Sequence, residues 1–170
     1  DININNNAND NSACCDSLLI LDTSLDVFYP PSVSGKGPSA RSLHSTGVLL
    51  DGRAIIVYGG INSQGKYPHN IHCLDSTRWH WLQPKCDGKP PHARSGHCSY
   101  PINQNSLLFF GGNDDHQCFN DMHKLRCIEK NNKNNMTNIN SSWIWEKFSI
   151  NDAIVLSNTR LVDKLYYMEK

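Results

Sequence analysis

The chain repeats itself, and that repeat limits its fold more than any other feature. Residues 20–44 align with residues 73–97 without a gap, at an offset of 53, and ten of the 25 positions are identical. The shared residues are Leu21/Leu74, Asp22/Asp75, Pro31/Pro84, Gly35/Gly88, Lys36/Lys89, Pro38/Pro91, Ala40/Ala93, Arg41/Arg94, Ser42/Ser95 and His44/His97. Beyond this block the offset drifts slightly. Gly59 and Gly60 recur 52 positions on as Gly111 and Gly112, while His72 and Leu74 recur 51 positions on as His123 and Leu125. Small loop deletions account for the drift. A unit of this length cannot bury its own apolar face, so such units stack and cover one another.

Within each unit short strands alternate with turns, and no stretch sustains a helical apolar period, so the module is expected to be all-β. In the first complete unit the strands are expected at 44–50, 54–58, 70–75 and 79–82. Asp51-Gly52 supplies the positive φ angles of a tight hairpin between the first two. Residues 54–58 are apolar throughout, as suits a strand covered on both faces. That strand ends at the Gly59-Gly60 pair, which adopts backbone conformations barred to other residues. Asp75-Ser76-Thr77-Arg78 reads as a turn, and Trp81 is the large anchor of the fourth strand. The second unit repeats the plan at 98–102, 107–110, 121–128 and 142–148, with Trp145 in the anchor position. The N-terminal unit shows only the last two strands, with Phe28 where the others have tryptophan.

Two tracts interrupt this pattern, 1–12 and 131–142. Both are dominated by Asn and lack the apolar surface to offset the cost of ordering, so both are expected to be disordered or loop. They resemble the Asn and Lys tracts found in proteins of protists with A+T-rich genomes. The second contains the acceptor patterns Asn135-Met136-Thr137 and Asn140-Ser141-Ser142, which matter only in the secretory route.

The order of features resembles the kelch repeat: a Pro-x-x-Arg-Ser-x-His opening, a hairpin, a double glycine, an Asp-containing third strand and a late Trp. The resemblance covers roughly 18–160. It implies a partial kelch-type β-propeller of four-stranded antiparallel blades, about two full blades plus two partial ones. Residues 1–17 are the Asn-rich N-terminal segment, 18–36 the end of one blade, and 37–83 a full blade. Residues 90–148 form a second full blade carrying the insertion 131–142, and 149–170 start the next. In that last piece Arg160 takes the motif arginine's place and Asp163 replaces the expected His. Propellers close with typically 4 to 8 blades, so the chain is expected to be a fragment whose remaining blades lie in flanking sequence.

Composition narrows the partners. Lys plus Arg equals Asp plus Glu at 16 each, so no long-range field gathers phosphate backbones or anionic lipid, and nucleic acid is not expected as a partner. The longest apolar runs fall far short of the roughly 20 residues of a spanning helix, so no membrane segment is expected. The chain begins at Asp1 and shows no secretory signal. Seven cysteines, an odd set without repeated C-x-x-C spacing, argue against a disulfide framework and a structural zinc site and fit a reducing, cytoplasmic setting. His116, Cys118, His123 and Cys127 could be assembled into a zinc set, but cysteine as a small core hydrophobe is the commoner role.

The repeat motif residues are Arg41, His44, Gly59, Gly60, Trp81, Arg94, His97, Gly111, Gly112 and Trp145. One reading makes Arg41, Arg94, His44 and His97 channel-lining ligands for an acidic partner. Recurrence once per blade favours a structural role, with their donors satisfying backbone carbonyls. The loops after the glycine pairs differ between units while their frame is constant, as on binding surfaces. Their candidate contact residues are Asn62, Gln64, Lys66 and Tyr67 in one loop, and Asp114, Asp115, His116 and Gln117 in the other. Solvated carboxylates are the default for Asp114 and Asp115.

No nucleophile elbow, phosphate-cradling glycine loop or His-Glu-x-x-His helix is visible, and no metal or other cofactor is expected. A copper oxidase on a kelch-like propeller needs a Tyr and His set with a cross-linked Cys, and no such convergence is apparent. The expected function is a non-catalytic protein–protein interaction scaffold that binds through its inter-strand loops. The alternative is the propeller portion of a larger enzyme, such as a kelch-containing Ser/Thr protein phosphatase with its catalytic domain outside this chain.

Overall fold

The computed structural model describes residues 14–128 and 142–148. The Asn-rich tract 1–12, nearly all of 131–142, and the 149–170 segment with Arg160 and Asp163 lie outside the described residues. Among those described there are β-strands and no helix. β1 (Ile20–Asp22) and β2 (Val27–Tyr29) form an antiparallel hairpin. The first full blade contains β3 (Ser34–Gly35), β4 (Ser45–Leu49), β5 (Ala54–Tyr58), β6 (His72–Asp75) and β7 (His80–Leu82), in the spatial order β4-β5-β6-β7-β3. The second contains β8 (Cys86–Gly88), β9 (Cys98–Asn103), β10 (Ser106–Phe110), β11 (Met122–Ile128) and β12 (Ser142–Phe148), in the order β9-β10-β11-β12-β8.

Each blade is thus the expected four-stranded antiparallel meander with one addition. β3 runs parallel to β7, and β8 runs parallel to β12, as short fifth strands on the outer edge. The sequence reading ended the first partial blade at residue 36 and left 84–89 between blades. Ser34–Gly35 and Cys86–Gly88 instead hydrogen-bond into the blade that follows them. Two or three residues carry no readable alternation, which is why the strand was missed. Its trace was the shared Gly35/Gly88 pair: at φ +78° and +79°, each lies so close to the outer strand that a Cβ would overlap the carbonyl oxygen of Trp81 or Trp145.

The hairpin turn after β4 places Leu50, Asp51 and Gly52 at φ +54°, +55° and +90°. Asp51-Gly52 therefore has the backbone sign expected of it, and Leu50 shares the strain. The turn after β6 is closed by Asp75, whose Oδ1 accepts from the Thr77 amide at 3.0 Å and the Thr77 hydroxyl at 2.6 Å.

Strand alternation then decides what packs on what. On the first blade Ser45, Gly47 and Leu49 share a face with Ala54, Ile56, Tyr58 and Cys73. On the second, Leu107, Phe109, Leu125, Cys127, Trp143 and Trp145 share a face. These two faces merge into one buried cluster, the core between the blades. Leu107 enters the space left by Gly47, where a Cβ would overlap its side chain. The opposite face of the first blade carries a smaller cluster, Val57, Leu74 and Trp81, on which Leu18 packs.

Next to the core, polar groups fix the spacing of the blades. His97, at the start of the second blade, is 6% exposed. Its Nε2 shares a 2.7 Å hydrogen bond with Ser45 Oγ of the first blade, and its ring meets Tyr58 edge-on with centroids 5.6 Å apart. Tyr58 Oη donates to the Pro91 carbonyl at 3.0 Å. Backbone bonds from Gly60 N to Arg94 O and from Gly96 N to Leu43 O, each 2.9 Å, complete the seam. Gly59 makes room for it, since a Cβ there would lie 2.5 Å from His97 Cε1 and 2.7 Å from Arg94 O.

The N-terminal hairpin has the same register as the full blades. Phe28 stands opposite Leu21 as Trp81 stands opposite Leu74 and Trp145 opposite Leu125. Phe28 nevertheless is 68% exposed and Leu21 47% exposed. Phe28 thus keeps the register of the anchor position, with its ring exposed among the described residues.

Two tests follow from the seam. Gly59 and Gly111 both have φ near +70°, at +66° and +69°, so alanine at either is expected to cost about 1–2 kcal/mol from backbone strain. G59A also meets His97, which adds about 1–3 kcal/mol of overpacking, whereas a Cβ at Gly111 has no neighbour closer than 3.4 Å. Urea unfolding should therefore rank G59A well below G111A, and equal midpoints would contradict the seam. Burial, with the nearby Arg94 charge, pushes the His97 pKa down to about 4 from the usual 6.5. The unfolded chain then binds the extra proton between these values. The His97 contribution is complete above pH 6.5 and is lost as pH falls toward 4, by up to about 3 kcal/mol. A pH series of unfolding midpoints should show this slope in the wild type and lose it in H97Q.

Candidate functional site

The glycine pairs end β5 and β10 on the same side of both blades, and their positive φ angles turn the chain out into the two candidate loops. Antiparallel bridges Ser42–Ile61 and Ser95–Asn113 pin the loop bases to the motif segments. The loops share no sequence, yet they share a frame. Asn62 Oδ1 accepts from the amides of Gln64 at 3.0 Å and Lys66 at 2.9 Å. Asp114 Oδ1 accepts from the amides of His116 at 2.8 Å and Gln117 at 2.9 Å. Both are Asx-type turns, in which the side chain stands in for a backbone acceptor.

Asn62 and Asp114 thus hold their loops in shape. The clue in the sequence was an Asn and an Asp at the same 52-residue offset as the glycines, which residue-type comparison passes over. These amide bonds keep the Asp114 carboxyl below its usual range. Gln64, Lys66, Asp115, His116 and Gln117 stand exposed beyond the turns. The loops meet where Tyr67 Oη donates to Asp115 Oδ1 at 2.7 Å, a bond that raises the Tyr67 pKa. At the base, His92 Nδ1 lies 3.4 Å from Asp114 Oδ2.

Below the loops lie the motif arginines, both buried. Arg41 donates from Nη1 to the Gly59 carbonyl at 3.1 Å and from Nε to the Ser39 carbonyl at 3.0 Å. Arg94 repeats this, from Nη1 to Gly111 O and from Nε to His92 O, each 2.9 Å. The guanidinium satisfies the carbonyl that the glycine turn leaves without a strand partner. The two then diverge: Arg94 also grips Asp121, with Nη2 to Oδ2 at 3.1 Å, and lies 4.0 Å from the Phe119 ring centroid. His123 Nε2 completes that corner at 2.9 Å from Asp121 Oδ2. With Arg94 bonding foremost, the Asp121 pKa falls to about 2. In the first blade Asn70 holds the equivalent position and bonds His72 instead, at 3.0 Å. The two histidines of the motif also part ways, since His97 is buried in the seam and His44 is exposed.

The possible zinc set is not gathered. His123 and Cys127 face the core from β11, while His116 and Cys118 are exposed in the loop above. None of the seven cysteines is joined in a disulfide. Burial pushes Cys73 up to about 12 and Cys86 up to about 11, so both remain protonated, poorly nucleophilic thiols at neutral pH. Cys86 lines a shallow groove between the blades with Ile71, Pro84, Pro90 and Trp145.

The Arg94–Asp121 pair has a clear test in its missing twin. N70D gives Arg41 a carboxylate and is expected to raise stability, whereas D121N lowers it by about 2 kcal/mol, the scale of a hydrogen bond to a charged group. Because the folded Asp121 pKa lies below its unfolded value, its contribution is complete above about pH 4 and fades as pH falls toward 2. Chemical denaturation of both variants at neutral pH checks the two directions.

Comparison with known proteins agrees with this geometry. Residues 5–155 match the model of the KLHDC2/KLHL20/DRC7 Kelch-repeats domain. Host cell factor 2 of Homo sapiens is 32% identical over 106 residues, 60% of this chain and 13% of that protein. Kelch domain-containing protein 3 of Homo sapiens is 28% identical over 120 residues, covering 70% of this chain and 31% of that protein. Kelch domain-containing protein 2 of Bos taurus is 32% identical over 117 residues, covering 68% and 28%. The chain thus spans less than a third of the length of each. With two full blades, their glycine pairs at matching positions and their arginine brackets in equivalent settings, the chain belongs to the kelch-repeat family and forms part of a β-propeller.

Proposed function

We propose that this chain binds a protein partner through the loops that follow its glycine pairs, and that it contributes surface rather than catalysis. The observation that carries this reading is the Tyr67–Asp115 bond at 2.7 Å. It joins loops of two different blades, so their exposed side chains form one continuous surface instead of two separate tips. Lys66 on one loop and Asp115 on the other put both signs of charge on that surface, next to the amides Gln64 and Gln117. A surface of mixed sign suits a protein better than a polyanion, which needs clustered cations. Rigid Asx turns beneath it lower the ordering cost of binding. The buried thiol of Cys73 and the half-buried thiol of Cys86 are held in the unreactive form, in keeping with a module that does no covalent chemistry.

The test is a double substitution that removes the exposed charges, and with Asp115 the bond from Tyr67 that joins the loops, while leaving both Asx turns intact. K66A/D115A should keep the melting temperature of the parent while reducing capture of a partner identified by crosslinking mass spectrometry about tenfold or more, on the scale of interfacial hot spots. A partner whose crosslinks map to other surfaces, and whose binding ignores this variant, would refute the reading.

A further inference from the structure

The groove between the two full blades is built from the segment leading into β6, the link from β7 to β8, and one side chain of β12. Ile71, Pro84, Trp145 and the half-buried Cys86 make its apolar part, and it encloses about 420 Å³. That volume falls within the range of about 300–1,000 Å³ typical of binding clefts. The rim is polar, with Asn70, Gln83 and Lys85 all exposed, and none of the residues lining the groove is a carboxylate. Asp87, next to Cys86 in the chain, is exposed outside the lining.

One wall of the groove lies in a positive field. Asn70 and Gln83 both approach the buried His72 Nε2, at 3.0 and 3.5 Å. Burial foremost, then the charges of Arg41 and Lys36, lower the His72 pKa. Arg41 is 5% exposed. Among the described residues its hydrogen bonds go to neutral groups, the Gly59 and Ser39 carbonyls and the Ser39 hydroxyl. The second blade shows what is missing: there Asp121, at the position of Asn70, takes both Nη1 and Nη2 of Arg94. A buried cation without a counter-charge favours a carboxylate brought within a few ångströms.

The residues that shape the groove recur in the chain, and those that set its polarity do not. Pro84 and Trp145 match Pro31 and Trp81, whereas Gln83 and Lys85 stand where the preceding link has Pro30 and Ser32. Packing of the blades accounts for the first pair and leaves the lysine unexplained.

We propose that this groove holds an acidic segment of a partner protein, with an apolar side chain seated against Trp145 and Ile71 and a neighbouring Asp or Glu side chain facing Lys85 and Asn70. The proposal rests on the reading of the chain as a protein-binding module and deepens it, using none of the charged loop residues tested above. A polyanion is a poor occupant, since it needs clustered cations and gains nothing from an apolar floor. An uncharged apolar segment would leave the Arg41 charge without its counter-charge.

The experiment pans a phage-displayed library of random octapeptides, embedded between fixed linkers, on the whole 170-residue chain. Enriched sequences should share an apolar residue within two positions of an Asp or Glu. Synthetic versions capped at both ends are expected to bind N70D about tenfold more weakly than the parent, because that variant supplies its own carboxylate, and K85Q about threefold more weakly. Replacing the peptide's acid by its amide should cost a similar factor. R78Q removes one positive charge from an exposed side chain in the turn after β6 and should change affinity by less than about twofold, which separates a local effect from net charge. Melting curves check that each variant is folded. The inference is overturned if no sequence is enriched, if the enriched sequences lack a carboxylate, or if N70D and K85Q bind them as the parent does. An equal loss with R78Q overturns it in favour of unspecific attraction. Peptides that lose binding to K66A/D115A and not to N70D overturn the groove while supporting the loops, so the two readings fail separately.

Discussion

One contact organises the molecule: the imidazole of His97 seated over a glycine of the preceding blade. It requires a positive-φ residue with no Cβ at Gly59, a hydroxyl at Ser45 and an aromatic wall at Tyr58, and it brings Pro91 and Arg94 within reach of backbone bonds across the seam. A sheet face by itself tolerates sliding, because dispersion contacts are non-directional. The buried ring, with one short hydrogen bond, converts that greasy contact into a fixed rotation between blades.

The arginine bracket works inside each blade as the imidazole works between them. The glycine turn leaves a carbonyl pointing away from the strand ladder, and a buried unpaired carbonyl is costly. Arg41 and Arg94 supply the donor in the same way. They differ in what balances the charge: Asp121 lies beside Arg94, and Asn70 occupies its place near Arg41. The first blade is therefore the electrostatically poorer copy, although its bracket is geometrically intact.

The proposed interaction surface rises directly from this frame. Gly59, which admits the imidazole, and its counterpart Gly111 direct the chain outward, and the Asx turns at Asn62 and Asp114 fix where the following residues point. Residues beyond the turns are free to vary because no part of the core depends on them. On the proposed reading, function is a property of a few exposed side chains on a scaffold whose constraints lie elsewhere.

The sequence by itself determined the repeat, the all-β class, the strand order within a blade and the recurrence of Arg, His and the glycine pair, because each of these leaves a periodic trace in residue type. The short outer strands Ser34–Gly35 and Cys86–Gly88 left none beyond one shared glycine, since two or three residues cannot show alternation. Nor did residue type reveal that Asn62 and Asp114 are turn acceptors, or that His44 and His97 have opposite fates. Identical residues at equivalent positions were given different environments by their neighbours: His97 has a blade before it and is buried, while His44 faces outward and is exposed. Only the tertiary structure could decide this, because burial depends on what is packed against a side chain and not on which side chain it is.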